Sequence, residues 1–276
     1  KSNYKVKPLD EVKIMLTFPK REVELIGEDI PLDIVYEDDS FLIVNKPSGM
    51  VVHPGHGNYS GTMLNGLIKH FENNNINNFQ PGLVHRIDKN TTGLLVVSKN
   101  EESLMFLTKQ FYERTVSRSY FALVWGDVAD DIGRIEGNIG RSLKDRKIMD
   151  VFTDSQRGKH AVTNYKVVKR FGYVTLVECK LETGRTHQIR VHFKHINHPL
   201  FNDPQYGGNR IMKGTVFNKY KQFVNNCFKI IPRQALHACS LGFIHPITKE
   251  KVLFQSPLPK DFTSLLDKWD KYIEFI

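Results

Sequence analysis

The chain has 276 residues, 40% of them hydrophobic and 11% aromatic, with a formal net charge of +9. That apolar content supports a buried core and excludes a disordered chain, and the charge suits a polyanionic partner, either nucleic acid or an anionic membrane surface. No run of about 18 apolar residues occurs, so no transmembrane helix is expected; no apolar signal segment opens the chain; and three widely spaced cysteines, Cys179, Cys227 and Cys239, fit free thiols in a reducing cytoplasm.

Ahead of the first predicted strand, mixed charge with Pro19 and Pro31 reads as a linker. Ile34 to Tyr36 and Phe41 to Val44 are short apolar runs around Glu37-Asp38-Asp39-Ser40, a hairpin signal. Thr62 is placed to cap a helix bearing Leu64, Leu67, Ile68 and Phe71. Asn73 to Gln80 is a polar, Asn-rich surface loop. Pro81 to Val84 reads as a turn entering a strand, and Lys89 to Gly93 as a tight loop in which Gly93 can take a positive φ. Leu94 to Val97 is an apolar run. Asn100 caps a predicted helix with Glu101 and Glu102 in its first turn, favoured by the macrodipole, and Leu104, Leu107 and Phe111 on one face. Ser119 to Trp125 is an apolar strand ending at Gly126. Ala161 to Val168 and Tyr173 to Leu181 form two strands around Phe171-Gly172. Thr186 can cap a helix with Ile189, Phe193 and Ile196 inward. His237 and Cys239 fall in an alternating, strand-like segment. Many strands and few helices, not in βαβ alternation, predict an α+β domain around a mostly antiparallel sheet. There is no internal repeat and no Walker-type loop, and Gly207-Gly208 is not a dinucleotide fingerprint.

The chemistry concentrates in His85-Arg86-Ile87-Asp88-Lys89-Asn90-Thr91-Thr92-Gly93. Asp88 lies where a strand opens into a loop, a place where a side chain is both held and exposed. A carboxylate there can act as nucleophile, general base or metal ligand; on spacing alone an ordinary turn residue is the favoured reading. The histidines His187, His192, His195 and His198 invite a metal reading, but they lack the paired histidines and adjacent Glu of a hydrolytic zinc helix. Cys227, His237 and Cys239 lack paired-cysteine spacing. No metal and no cofactor are therefore expected.

The same His85–Gly93 block resembles the catalytic motif of the RluA/RluD-type RNA pseudouridine synthases. Leu181-Glu182-Thr183-Gly184-Arg185-Thr186-His187-Gln188-Ile189-Arg190-Val191-His192 is similar to a second motif of that family. So are Lys46-Pro47-Ser48-Gly49-Met50-Val51-Val52-His53-Pro54-Gly55 and Gln234-Ala235-Leu236-His237-Ala238. The blocks run in the family's order from about Pro31 to Pro259, and the chain is most similar to the RluD branch, which acts on large-subunit ribosomal RNA.

The resemblance implies a pseudouridine synthase catalytic fold: α+β, a mostly antiparallel mixed sheet with flanking helices and a central basic cleft. It implies a catalytic domain over residues 34–276, a linker over 17–33, and in residues 1–16 the closing part of an incomplete αL-type RNA-binding module. Asp88 becomes the catalytic carboxylate, which either attacks the anomeric carbon or takes a sugar proton. Arg190 becomes its counter-ion, able to pair through two hydrogen bonds. Tyr120 becomes the residue that stacks on the uracil or moves a proton. Arg86 is expected to enter the space left by the extruded base. The expected RNA contacts are Arg86, His85, Arg141, Lys144, Arg146, Lys147, Arg185 and His187, with Lys213, Lys219, Lys221 and Arg233 as further phosphate contacts. The partner implied is large-subunit ribosomal RNA or its precursor particle, met by a cytoplasmic monomer that does not engage a membrane. Transfer RNA or dual specificity, and a non-catalytic RNA-binding or ribosome-assembly factor on the same fold, are the alternatives.

Overall fold

A computed structural model of the chain describes residues 4, 5, 7, 10, 11, 25–55, 57–76, 79–154 and 156–274. In chain order the first half carries β1 (Ile34–Glu37), β2 (Phe41–Lys46), α1 (Met63–Asn73), β3 (Gly82–Leu83), β4 (Thr92–Ser98), α2 (Glu101–Glu113) and β5 (Ser117–Trp125). The second half carries β6 (Ile132–Arg141), β7 (Met149–Phe152), β8 (Lys159–Arg170), β9 (Val174–Leu181), α3 (Gln188–His195), α4 (Asn218–Ile230), β10 (Leu236–Ile244), β11 (Lys251–Gln255) and α5 (Lys260–Ile273). The strands form one sheet in the order β1-β2-β4-β10-β5-β9-β8-β6-β7, with β3 added to β4 and β11 to β10. Every pairing is antiparallel except β10 with β4. The α+β expectation therefore holds, with one parallel seam in the middle of the sheet.

That seam lies beside the Asp88 loop. It aligns His237 with Thr92 and Ala238 with Gly93. Gly93 has φ +116°, and a Cβ there would lie 2.2 Å from the Ala238 carbonyl oxygen, so only glycine lets the two backbones approach.

The two-residue period of the strands sorts side chains onto two covered faces. Leu95 and Val97 of β4, with Tyr120, Ala122 and Val124 of β5, face one core completed by Leu67 and Phe71 of α1 and Ile189 and Phe193 of α3. Leu94 and Val96 face the other side, against Phe41, Ile43 and Leu107 of α2. Leu123 and Trp125 on that opposite side meet Val224 and Cys227 of α4 and Phe262, Leu265 and Trp269 of α5. Burial on both faces explains why β4 reads as a continuous apolar run rather than an alternation.

Two helix starts follow the local sequence. Thr62 caps α1 in a reciprocal capping box with Asn65, and the Asn100 side chain takes the Ser103 N–H at the start of α2. Thr186 does not cap α3. The N-cap is His187, in the left-handed conformation at φ 54°, without a side-chain cap; the Gln188 side chain takes the Arg185 N–H instead. Most of residues 1–24, including the segment read as the end of an RNA-binding module, lies outside the described residues, as do Asn77 and Asn78 of the Asn-rich loop. Residues 25–33, read as linker, pack along α1: Asn65 donates to the Ile26 carbonyl and the Glu28 carboxylate takes the Gly61 N–H. Among the described residues no helix is long and apolar enough to cross a membrane.

Candidate active site

All four motif blocks meet at the Asp88 loop. The Lys89 carbonyl accepts from the Lys46 ammonium at 2.9 Å and from the Gly49 N–H at 3.0 Å. From the other side Gln234 donates to Thr91 Oγ1 at 3.2 Å and Arg233 donates to the Asn90 carbonyl at 3.3 Å. The Thr91 N–H closes the turn onto the Asp88 carbonyl at 3.0 Å. Asp88 therefore stands on a loop fixed on both flanks, with its side chain 21% exposed. Lys46 is fully buried and also donates to the Pro47 and Met50 carbonyls. Burial pulls its pKa down to about 7, against the opposing attraction of Asp88.

Two adjoining cavities, of about 210 and 620 Å³, share Asp88 and Arg190 in their walls. The smaller is also lined by Tyr120, Arg118, Arg86 and Gly184. Arg190, from the first turn of α3, donates from Nη1 to Asp88 Oδ2 at 2.9 Å. The two-bond pairing expected between them is not what forms. The other edge of the guanidinium is taken by Asp203, which is wholly buried and accepts from Nε at 2.6 Å and from Nη2 at 2.9 Å. Nη2 also donates to Gln205 at 2.7 Å. The geometric reason is that Arg190 presents its Nε edge to the 202–206 turn and spends both Nη2 hydrogens there, leaving Nη1 alone for Asp88. Burial works against the Arg190 charge, but Asp203 and then Asp88 outweigh it and push its pKa above the ordinary arginine value.

Tyr120 lies on β5 opposite Ala238 of β10 and Cys179 of β9. It is 7% exposed and lines the smaller cavity with Asp88; burial raises its phenol, and the Asp88 charge adds to that shift. The structure thus brings Asp88, Arg190 and Tyr120 to one cavity.

The block that delivers Arg190 is wired through Gln188, which is buried. Its side-chain oxygen takes the Thr183 hydroxyl and the Arg185 N–H, and its nitrogen donates to the Val162 carbonyl and Thr163 Oγ1. Beside it, His187 Nδ1 shares a 2.8 Å hydrogen bond with the Tyr206 hydroxyl, and Nε2 lies 3.8 Å from Asp88 Oδ1. Burial lowers the His187 pKa despite the attraction of Asp88.

The expected RNA contacts separate into groups. Arg86 is exposed at the mouth of both cavities. Arg185 and His187 line the smaller one, and Arg185 Nε donates to the His160 carbonyl. His85 also borders it, but Nε2 accepts the Val96 N–H and the ring stacks on Phe111 at 4.6 Å. Burial, then the nearby Arg118 charge, holds its pKa down at about 3. Arg141, Lys144, Arg146 and Lys147 are exposed on the β6–β7 connection, away from both cavities. Lys213, Lys219 and Lys221 are exposed as well. Arg233 is a correction: it is 3% exposed, with a two-bond pairing to Asp261 at 2.8 and 3.0 Å and further bonds to the Gln234 and Leu236 carbonyls. A guanidinium so buried and already paired with a carboxylate is not presented to phosphate. Among the described residues, no group of three or more His, Cys, Asp or Glu side chains is placed to hold a metal.

Sequence reasoning missed Asp203, Gln188 and Arg118. For Asp203 a signal existed: an arginine expected to be buried calls for more than one anionic partner, and Asn202-Asp203-Pro204 is the next turn in the chain.

Comparison with known proteins finds relatives along nearly the whole chain. Residues 40–195 match the family described as RNA pseudouridylate synthase. An uncharacterised RNA pseudouridine synthase of Bacillus subtilis (YlyB) is 46% identical over 98% of this chain and 83% of its own length. Ribosomal large subunit pseudouridine synthase D of Zymomonas mobilis is 41% identical over 95% of this chain and 80% of its own length. Among solved structures, human RNA pseudouridylate synthase domain containing 1 superimposes with a TM-score of 0.64 at 25% identity, covering 91% of this chain and 97% of that one.

Proposed function

The chain belongs to the RNA pseudouridylate synthase family, and on that premise we propose that its target is uridine in large-subunit ribosomal RNA and that Asp88 carries the bond change at the sugar. The net reaction breaks the bond from uracil N1 to the ribose anomeric carbon and forms a bond from that carbon to uracil C5. The C5 proton leaves and N1 gains one, so atoms balance without hydride or redox exchange. One carboxylate suffices, through attack on the anomeric carbon or removal of a sugar proton.

A single observation supports Asp88 in that role. Arg190 binds one oxygen of its carboxylate at 2.9 Å, while the side chain borders the cavity that Tyr120 also lines. An enclosed carboxylate left alone favours the neutral acid; the paired guanidinium favours the anion that either route needs. Tyr120 then offers a ring to stack on the uracil and a hydroxyl for proton transfer. Arg86, exposed at the mouth, fills the gap left in the RNA stack by the extruded base. The ribosomal target rests on the names of relatives such as that of Zymomonas mobilis. The catalytic domain is residues 34–276, with the remainder of the chain adding RNA contacts as a cytoplasmic, monomeric enzyme.

The test is to incubate the protein with large-subunit ribosomal RNA and with transfer RNA and to map pseudouridine at single-nucleotide resolution. Product in the former and none in the latter is expected. Asp88→Asn keeps the shape of the side chain but is a poor nucleophile and base. It should bind RNA and form no product; appreciable product would remove Asp88 from the reaction.

A further inference from the structure

Arg118 stands two residues before Tyr120 on β5, so the strand period puts both on the same face of the sheet. Its side chain helps to line the cavity that holds Asp88. It differs from the other enclosed arginines. Arg190 is matched by Asp203 and Asp88, and Arg233 by Asp261. Arg118 has no carboxylate partner among the described residues, and its Nε is shut off from solvent without an acceptor.

Packing alone holds it in place. The guanidinium carbon lies 5.5 Å over the Phe111 ring. Gly184 also stands close, where a Cβ would come within 2.7 Å of Nη1. Gly184 is not at positive φ, so backbone conformation is not what requires glycine there. The missing side chain leaves room for the guanidinium. A half-buried cation in a cavity wall with no counter-charge is incomplete without an anion.

Resting on the proposed function, we propose that Arg118 binds the phosphodiester that flanks the target uridine. RNA brings an anion with every nucleotide, whereas the oxygens of uracil are neutral and would leave the charge uncompensated. A guanidinium matches two phosphate oxygens at once, so this contact sets the sugar of the extruded nucleotide over Asp88 and Tyr120. Arg118 is thus the inner phosphate anchor, distinct from Arg86 at the mouth.

The experiment uses a short RNA substrate in which one methylphosphonate replaces the phosphodiester on the 5′ or the 3′ side of the target uridine. The sugar preceding the linkage is 2′-deoxy, and the control RNA has the same sugar with an ordinary phosphodiester. Affinity and single-turnover rate are measured for the unmodified protein, Arg118→Gln and Arg118→Lys. The unmodified protein should lose about 10- to 100-fold in affinity at one of the two linkages. Arg118→Gln should show that loss already on the control RNA and lose nothing further with the neutral linkage. Arg118→Lys should recover part of it, since the charge remains and the fork does not. Equal penalties from the neutral linkage in the unmodified protein and in Arg118→Gln would overturn the proposal, as would undiminished affinity of Arg118→Gln on the control RNA. If thermal melting shows Arg118→Gln to be unfolded, the Lys variant decides: a linkage penalty as large as in the unmodified protein refutes the contact, and a smaller one upholds it. Failure of the unmodified protein to form pseudouridine in any RNA would instead strike the functional reading.

Discussion

Replacing Asp203 with Asn should damage the enzyme twice, through stability and through the geometry of Arg190. Asp203 accepts four hydrogen bonds: Arg190 Nε at 2.6 Å and Nη2 at 2.9 Å, and the N–H groups of Gln205 at 3.1 Å and Tyr206 at 3.3 Å. Asn keeps one acceptor and turns the other into a donor facing a guanidinium N–H or a backbone N–H. Breaking a buried pair costs about 3–5 kcal/mol. Asp88 and Gln205 still hold Arg190, so the expected loss is near the lower end, about 3 kcal/mol. Freed on its Nε edge, the guanidinium no longer has its direction fixed, and a misplacement of about 1 Å at the reacting carboxylate lowers the rate about 100-fold. Urea unfolding at neutral pH measures the first effect. Single-turnover pseudouridine formation at saturating enzyme measures the second, with RNA affinity recorded beside it. Affinity should change little, because Asp203 is fully buried. Stability within about 0.5 kcal/mol of the unmodified protein, together with an unchanged saturated rate, would refute the idea that Asp203 orients Arg190.

Arg86→Ala should slow the reaction on folded RNA much more than on single-stranded RNA, which needs little extrusion work; equal losses on both would argue for a structural or chemical role. Gly93→Ala should cost at least about 2 kcal/mol in urea unfolding, because the added Cβ meets the Ala238 carbonyl at a positive φ; a near-neutral result would mean that the β4–β10 seam can part. Stability should also fall in mild acid. His85 and His192 are held down by burial to about 3 and about 4, so both are neutral in the native state while the unfolded chain binds protons below about pH 6.5. Their contribution is complete above that pH and is lost as pH falls toward those native values. Urea midpoints from about pH 7 to about pH 4.5 should drop, and His85→Gln, which can still accept the Val96 N–H, should flatten the curve; an unaltered slope would discount His85.

The legible parts of this chain are those whose cause is local. The hairpin of β1 and β2, the Thr62 and Asn100 caps and the glycine at position 93 each follow from a few neighbouring residues. What escaped depends on partners distant in sequence. Arg233 carries the same charge as the surface lysines around it, and only the fold sets Asp261 against it, 28 residues away. Asp203 faces Arg190 because the turn after α3 doubles back. Thr186 failed as a cap because Gln188, two residues on, supplies an acceptor for the Arg185 N–H while tying itself to β8. The helix α5 went unpredicted although Phe262, Leu265 and Trp269 stand at helical spacing. At the site, Asp88 and Arg190 were singled out through whole motif blocks and Tyr120 through the family resemblance, since no spacing rule singles out an arginine in the first turn of an amphipathic helix.

The charge arrangement around Asp88 has its own logic. A carboxylate that must approach a ribose comes within a few ångströms of phosphates of like sign, and a low-dielectric cavity strengthens that repulsion. Arg190 alone does not offset it, because Asp203 already balances the guanidinium. The Asp88–Arg190–Asp203 group carries one net negative charge. Relief has to come from cations outside that group, and the cavity wall supplies Arg118, Arg86 and Arg185. None of these three forms an ion pair with a carboxylate among the described residues, whereas the buried Arg190 and Arg233 both do. Arginines paired within the protein fix its geometry; those left unpaired let RNA phosphates approach an ionised acid. Neutralising any one of the three should therefore steepen the penalty that bound RNA imposes on Asp88. The observable is the single-turnover rate at saturating enzyme: it should fall in Arg118→Gln or Arg185→Gln even where excess enzyme offsets weaker binding, because the phosphates then sit less favourably beside the reacting carboxylate. A saturated rate unchanged in both variants would show that these arginines serve affinity alone.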